Sequence, residues 1–281
     1  MTSKTHKVLY KNGDKIAWYP QDGPHSLFFS LGDNQIFHKI GRTVHLREYE
    51  EVQKSQRLIP KHLDVRTNHR DHIIAETELS RDHLTPELQL YLITQNCRLW
   101  RARPEDSPFY EPFWAFYWPG GQALSRYLFD NRDAVKGRKI LDFGTGCGAS
   151  GLAAKISGAG HVTFNDIDPI ATEAVLLNGI KNKIKIDDLS TVNLIGSCCE
   201  MFDVLLIGDM LYDTEFADEV LRWLRKEHEK GSVVLIGDPG RFALESHPLK
   251  SSLRCLAKYE LKASTVLENS GHTQAFVWTF T

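Results

Sequence analysis

At 281 residues, with 42% hydrophobic and 25% charged side chains, the chain has the make-up of an ordinary soluble globular protein: one large domain, or one domain with an extension. A net charge of −2 argues against a nucleic-acid partner, which takes clustered Lys and Arg, and no apolar run reaches the roughly 18 residues of a membrane helix. Five cysteines, an odd number that includes the adjacent Cys198 and Cys199, form neither a C-x-x-C pattern nor a disulfide framework, which fits a reducing compartment.

Residues 1 to about 81 read as an extension. Its apolar runs are short, such as Ser26 to Leu31, and turn signals stand at Asn12-Gly13 and Asp22-Gly23-Pro24. The first thirty residues hold four Lys, no Arg and the acids Asp14 and Asp22, with neither a secretory signal nor an evident transit peptide. From 82 to 281 the signals sharpen into one domain. Thr85 as N-cap, Pro86 at the first helical position and Glu87 in the first turn predict a helix through about Thr94. A turn at Trp118-Pro119-Gly120-Gly121 leads into a second helix over Gln122 to Asp130.

Strands and helices then alternate. Strands are expected at Lys139 to Phe143, His161 to Asn165, Phe202 to Gly208 and Ser232 to Gly237; helices fall near Ala149 to Ser157, Pro169 to Asn182 and Glu215 to Lys230. Such alternation implies a parallel sheet with helices on both faces. Two extended runs, Tyr259 to Thr265 and Gln274 to Phe280, joined through Asn269-Ser270-Gly271, predict a closing antiparallel hairpin. The fold class is α/β, Rossmann-like.

Within Ile140 to Gly151 a buried strand runs into Gly144, Gly146 and Gly148 and then a helix, so backbone approaches a ligand closely there. Gly146, Gly148 and Gly151 also fit G-x-G-x-x-G, with Asp166 twenty residues beyond Gly146, the pattern of a dinucleotide site. Asp142 separates the two ligands. A carboxylate just before the loop opposes a pyrophosphate and suits the cationic amino group of S-adenosylmethionine. Asp166, at the end of the second strand, is placed for ribose hydroxyls, and Ile167 for packing on adenine, whereas Asp168 before Pro169 reads mainly as a helix cap.

These residues resemble the class I, seven-stranded S-adenosylmethionine methyltransferases, through Asp142-x-Gly144-x-Gly146-x-Gly148 and Asp166. A closer resemblance is to the electron transfer flavoprotein β-subunit lysine methyltransferases. It rests on Leu84 to Glu87, Tyr117 to Tyr127, Asn165 to Pro169, Gly208 to Asp213, Ile236 to Arg241 and Glu268 to Gly271, spanning about residues 82 to 281. The resemblance implies a seven-stranded sheet, S-adenosylmethionine as cofactor, and methyllysine on a flavoprotein subunit as product. It further implies a mitochondrial matrix location, with the cytoplasm as the alternative, and Asp209 with Tyr212 as the D-x-x-Y feature after the fourth strand. Leu211 stands where an aromatic is expected.

Methyl transfer from a sulfonium is an in-line displacement, so a protein catalyses it mainly by positioning donor and acceptor. The acceptor amine must be neutral, and on the order of one lysine in two thousand is neutral at pH 7. Asp209 and Tyr212, at the end of a central strand, can orient an amine from two directions; the plainer reading makes Asp209 a cap and Tyr212 core. Asp213 is the better cap. Among Phe113, Trp114, Phe116, Tyr117 and Trp118, packing explains most, with Trp118 the candidate for the donor pocket or lysine channel. Asp238 reads equally as a substrate contact or a turn former. His69 and His72 lack a nearby Cys or a second pair, so no metal site is expected. A nicotinamide-dependent oxidoreductase using the same loop, and a catalytically silent binding module, stay open as alternatives.

Overall fold

The computed structural model describes residues 65–103 and 106–281 and, before them, five short strands. It divides into two compact units, Met1–Asp64 and Val65–Thr281. In the first unit β1 (Leu9–Lys11) pairs antiparallel with β2 (Asp14–Ile16), and the expected Asn12-Gly13 turn lies outside the described residues. There too β3 (Leu27–Leu31), β4 (Gln35–Ile40) and β5 (Thr43–Glu48) form an antiparallel meander. The Asp22-Gly23-Pro24 turn lies outside the described residues.

The expected limit at Asp82 falls inside the second unit, because residues before it are anchored there. In α1 (Val65–Glu76) Ile73 is fully buried, and Arg70 donates from Nε to Glu173 Oε2 at 2.6 Å. Next, β6 (Glu78–Ser80) pairs antiparallel with β7 (Leu90–Leu92). This strand replaces the helix expected from Pro86 to about Thr94. The Thr85-Pro86 signal makes only a turn, closed by Leu88 N–H on Thr85 O at 3.0 Å. The three residues of β7 are then all buried, and side-chain amides satisfy the neighbouring backbone: Asn182 Oδ1 takes Gln89 N–H and Asn178 Oδ1 takes Tyr91 N–H. A period-3.6 helix would leave one face of this segment wet; full burial favours the strand.

Five parallel strands form the centre: β8 (Lys139–Phe143), β9 (His161–Asn165), β10 (Asp188–Ser190), β11 (Val204–Gly208) and β12 (Val233–Asp238). They are extended by the antiparallel β14 (Gln274–Phe280) and β13 (Leu253–Glu260), giving the order β10-β9-β8-β11-β12-β14-β13. The first strand of the hairpin thus begins upstream of the expected Tyr259 to Thr265 and shares only Tyr259 and Glu260 with it, the end of that run being a 3₁₀ turn.

Strand alternation splits the core in two. Ile140, Val204, Leu206, Leu235 and Val277 face α2 (Pro119–Asp130) and α3 (Ala149–Ile156), while Leu141, Phe143, Leu205, Ile207 and Val234 face α5 (Thr214–Glu229). Each fully buried large side chain contributes roughly 1.5–3 kcal/mol. On the same side as α3, α4 (Pro169–Lys181) packs Val175 into the first core and Ala171 and Ala174 against Ile73 and Trp114. Chain order reverses between β8 and β11. Their C-terminal ends therefore open the crevice in which α/β sheets hold ligands.

Candidate active site

The first half of the site is the turn from β8 into α3. Gly144, Gly146 and Gly148 all have left-handed φ, of 63°, 52° and 84°. At Gly144 a side chain is doubly excluded, because a Cβ would stand 2.3 Å from Met210 Sδ. The glycine loop therefore touches the segment that follows β11. Asp142 is turned into the loop and nearly fully buried: its Oδ2 accepts from Gly151 N–H at 2.9 Å and from the Thr145 hydroxyl. Burial pushes its carboxyl up to about 6, the nearby Asp166 adding to the rise.

Asp166 closes the loop from β9. Oδ2 accepts from Gly146 N–H at 2.9 Å and Oδ1 from Asp168 N–H at 3.0 Å, and burial raises its pKa. Ile167 beside it is 71% exposed, an apolar face at the mouth of the crevice. Asp168 caps α4, accepting from Ile170 N–H at 2.8 Å. Cys147 is buried and its thiol is pushed up to about 12, as a small packing residue would be.

The second half is built where β11 and β12 end, under the first turn of α2. The Trp118-Pro119-Gly120-Gly121 segment enters the helix itself, with Pro119 at its first position. A Cβ on Gly120 would lie 2.2 Å from Gly237 O, so only glycine lets the helix start rest on the strand ends. That approach brings Gly120 N–H to 2.6 Å from Asp209 Oδ2. Asp209 has a left-handed backbone, φ 63°, and its side chain is fully buried in an ion pair with Arg241, whose Nε donates to Oδ1. Burial pushes the Asp209 carboxyl up, against the pull of Arg241 and of Gly120 N–H. Asp209 is thus no helix cap; Asp213 fills that role, accepting from Phe216 N–H at 2.9 Å.

Tyr212 is not core. The residue is 63% exposed and its ring stacks on Phe216, and Asp213 and Asp166 add to the effect of partial burial in raising its hydroxyl pKa. Trp118, half-buried, donates from Nε1 to Phe113 O at 2.9 Å and has the Arg241 guanidinium 5.9 Å from its ring centroid. Trp114 and Tyr117 are core, as packing predicts, whereas Phe113 is exposed. Asp238 is fully buried: Oδ1 accepts from Gly240 N–H at 2.7 Å and Arg241 N–H at 2.8 Å, and Oδ2 has no partner. Its carboxyl is pushed up to about 7 by burial first and by Asp209.

The candidate donor and acceptor residues, from Trp118 and Asp142 to Asp209 and Tyr212, thus lie at one end of the sheet, in two halves that meet where Met210 covers Gly144. Arg241 is the member that sequence reasoning missed as a site residue. Its signal was present, in the Ile236 to Arg241 stretch, but the charge it answers is Asp209, thirty-two positions earlier.

A mostly parallel seven-stranded sheet ending in an antiparallel hairpin, with a glycine loop and carboxylates at the ends of its first two strands, defines a class I methyltransferase. Residues 115–251 match a family model described as lysine methyltransferase. The electron transfer flavoprotein beta subunit lysine methyltransferase of Xenopus laevis is 48% identical over 75% of this chain and 86% of its own length. That of Homo sapiens is 45% identical over 72% and 77%, and the Caenorhabditis elegans homolog 35% over 73% and 93%. The chain belongs to the electron transfer flavoprotein beta subunit lysine methyltransferase family, and is a protein-lysine N-methyltransferase with S-adenosylmethionine as its methyl donor.

Proposed function

We propose that the chain methylates lysine side chains of the electron transfer flavoprotein beta subunit, and does so in the mitochondrial matrix. The observation that carries the substrate is the 45–48% identity to relatives named for it, over about three-quarters of this chain and most of theirs. The matrix is the location that the sequence's resemblance to this family implies.

The donor half fits S-adenosylmethionine. Asp142 and Asp166 hydrogen-bond only neutral donors, Asp142 Oδ1 has no protein partner among the described residues, and the left-handed Gly144, Gly146 and Gly148 turn backbone rather than side chains toward the loop. Bound there, the cofactor supplies a methyl group on a cationic sulfur. In this reading Asp142 fixes the loop and attracts the donor's ammonium, Asp166 receives the ribose hydroxyls, Ile167 packs on adenine, and Gly144, Gly146 and Gly148 give the backbone its close approach. Trp118 walls the passage between the halves. Asp209, held by Gly120 N–H and Arg241, and Tyr212, open to the crevice, orient the lysine amine for in-line attack; positioning of this kind carries most of the rate.

Incubating the protein with S-adenosylmethionine labelled in its methyl group and a mitochondrial extract, then identifying the labelled band and the modified residue, tests the assignment. The expected result is methyllysine on the flavoprotein beta subunit. Label on another protein, or on a residue other than lysine, overturns it.

A further inference from the structure

The acceptor carboxylate already holds a cation of this chain. Arg241 donates from Nε to Asp209 Oδ1, Gly120 N–H takes Oδ2, and no part of the Asp209 side chain is exposed. The guanidinium also lies 5.9 Å from the Trp118 ring centroid. A carboxylate and an indole face are what a lysine ammonium would seek, and here they are satisfied from within. Nor is Arg241 a loose surface side chain. It is 19% exposed, and its backbone N–H and that of Gly240 are both fixed by Oδ1 of the fully buried Asp238.

Charge balance around the acceptor then follows from few groups. The segment after β11 brings Asp209 and Tyr212, the end of β12 brings Asp238 and Arg241, and the connection between β13 and β14 brings His272, close enough to feel both Asp209 and Arg241. Burial, with Arg241, lowers the His272 pKa and so disfavours a second cation beside Asp209. A lysine amine beside a bare buried carboxylate is held as ammonium, which has no lone pair to attack with. Beside a carboxylate whose charge is cancelled, in a partly desolvated crevice, proton loss is favoured.

We propose that Arg241 is a positioning residue that sets the protonation state of the substrate lysine: by cancelling the Asp209 charge it makes the neutral amine the favoured bound form, the proton being shed to solvent as the side chain enters. The inference rests on the acceptor role of Asp209 given above. It goes beyond that role in assigning the proton-loss step to an electrostatic device rather than to a general base.

The test is the pH dependence of kcat, which reports groups in the enzyme–substrate complex, for the full chain and its Arg241→Gln and Arg241→Lys variants with saturating flavoprotein beta subunit. Arg241→Gln should move the rising limb up by about one pH unit, so turnover at pH 7 drops about tenfold and recovers at high pH. S-adenosylmethionine affinity by calorimetry stays put, and Arg241→Lys, which keeps the cation, keeps the wild-type midpoint. A uniform loss with an unmoved midpoint makes Arg241 merely structural and overturns the inference. So does faster turnover with a lower KM at pH 7, which would make it a plug. If Arg241→Gln does not fold, Asp209→Asn decides: the uncancelled guanidinium should move the midpoint down, and a fixed midpoint overturns the idea. Wild-type protein that leaves the subunit unmethylated removes the substrate assignment and this inference together; methylation with unmoved midpoints removes this inference alone.

Discussion

The two halves of the site bury their carboxylates alike and compensate them differently. Asp142 and Asp166 accept from three backbone N–H groups and one hydroxyl, so each keeps its negative charge or takes a proton for want of a cation. Asp209, next in sequence to the Met210 that covers Gly144, is locked to a guanidinium. The contrast matches the chemistry of what each half receives. A methyl donor is permanently cationic and is best met by carboxylates left uncompensated, whereas an attacking amine must be neutral and is poorly served by a bare negative charge.

The largest expected effect breaks the acceptor half alone. Asp209→Asn keeps size but removes the charge and one of the two acceptors: its single oxygen can face Gly120 N–H or Arg241 Nε, and the amide NH2 then meets the other donor. Methyl transfer should fall about 10²-fold, because the rate depends on positioning, while S-adenosylmethionine affinity by calorimetry moves little. Loss of donor binding, or an unchanged rate, would erase the division between the halves.

How much of that division is legible in the sequence differs between the two. The donor half is local: Asp142 and its glycines sit within ten residues, and strand alternation fixes Asp166 at the end of the next strand, so pattern and structure agree over Lys139–Phe143 and His161–Asn165. The acceptor half is assembled from distant pieces. Gly120, Asp209, Asp238 and Arg241 meet only because α2 lies on the ends of β11 and β12, a tertiary contact no periodicity encodes. The Thr85-Pro86 helix signal fails for a related reason: capping chemistry is a local preference, and burial of Leu90, Tyr91 and Leu92 against α4 overrides it. The boundary before Asp82 was hidden likewise, since Arg70 finds Glu173 across a hundred residues of chain.

A smaller effect is expected from the donor half. Asp166→Ala removes the acceptor for Gly146 N–H and the proposed ribose contact, and should weaken S-adenosylmethionine binding by about 2 kcal/mol, roughly thirty-fold in Kd. Turnover at saturating donor should fall far less than in Asp209→Asn. The comparison fails if the two variants damage Kd and kcat in the same proportion.

The finest distinction is in pH. Burial pushes the Asp142 carboxyl up to about 6, so it gains a proton as the pH falls through that value and its pull on a cation disappears. A bound cation favours the charged form, so binding near pH 6 should release protons, and affinity should be flat well above 6 and decline below it, by roughly tenfold at pH 5 if only the charged form binds. Asp166, whose pKa burial also raises, contributes in the same direction, and the ligand's own groups titrate as well. Subtracting the affinity profile of Asp142→Asn, which keeps an acceptor for Gly151 N–H and the Thr145 hydroxyl, isolates the part belonging to Asp142. That difference should rise with pH between 5 and 7 and then level off. A flat difference would mean that Asp142 only shapes the loop, and that the charge contrast between the halves rests on Asp166.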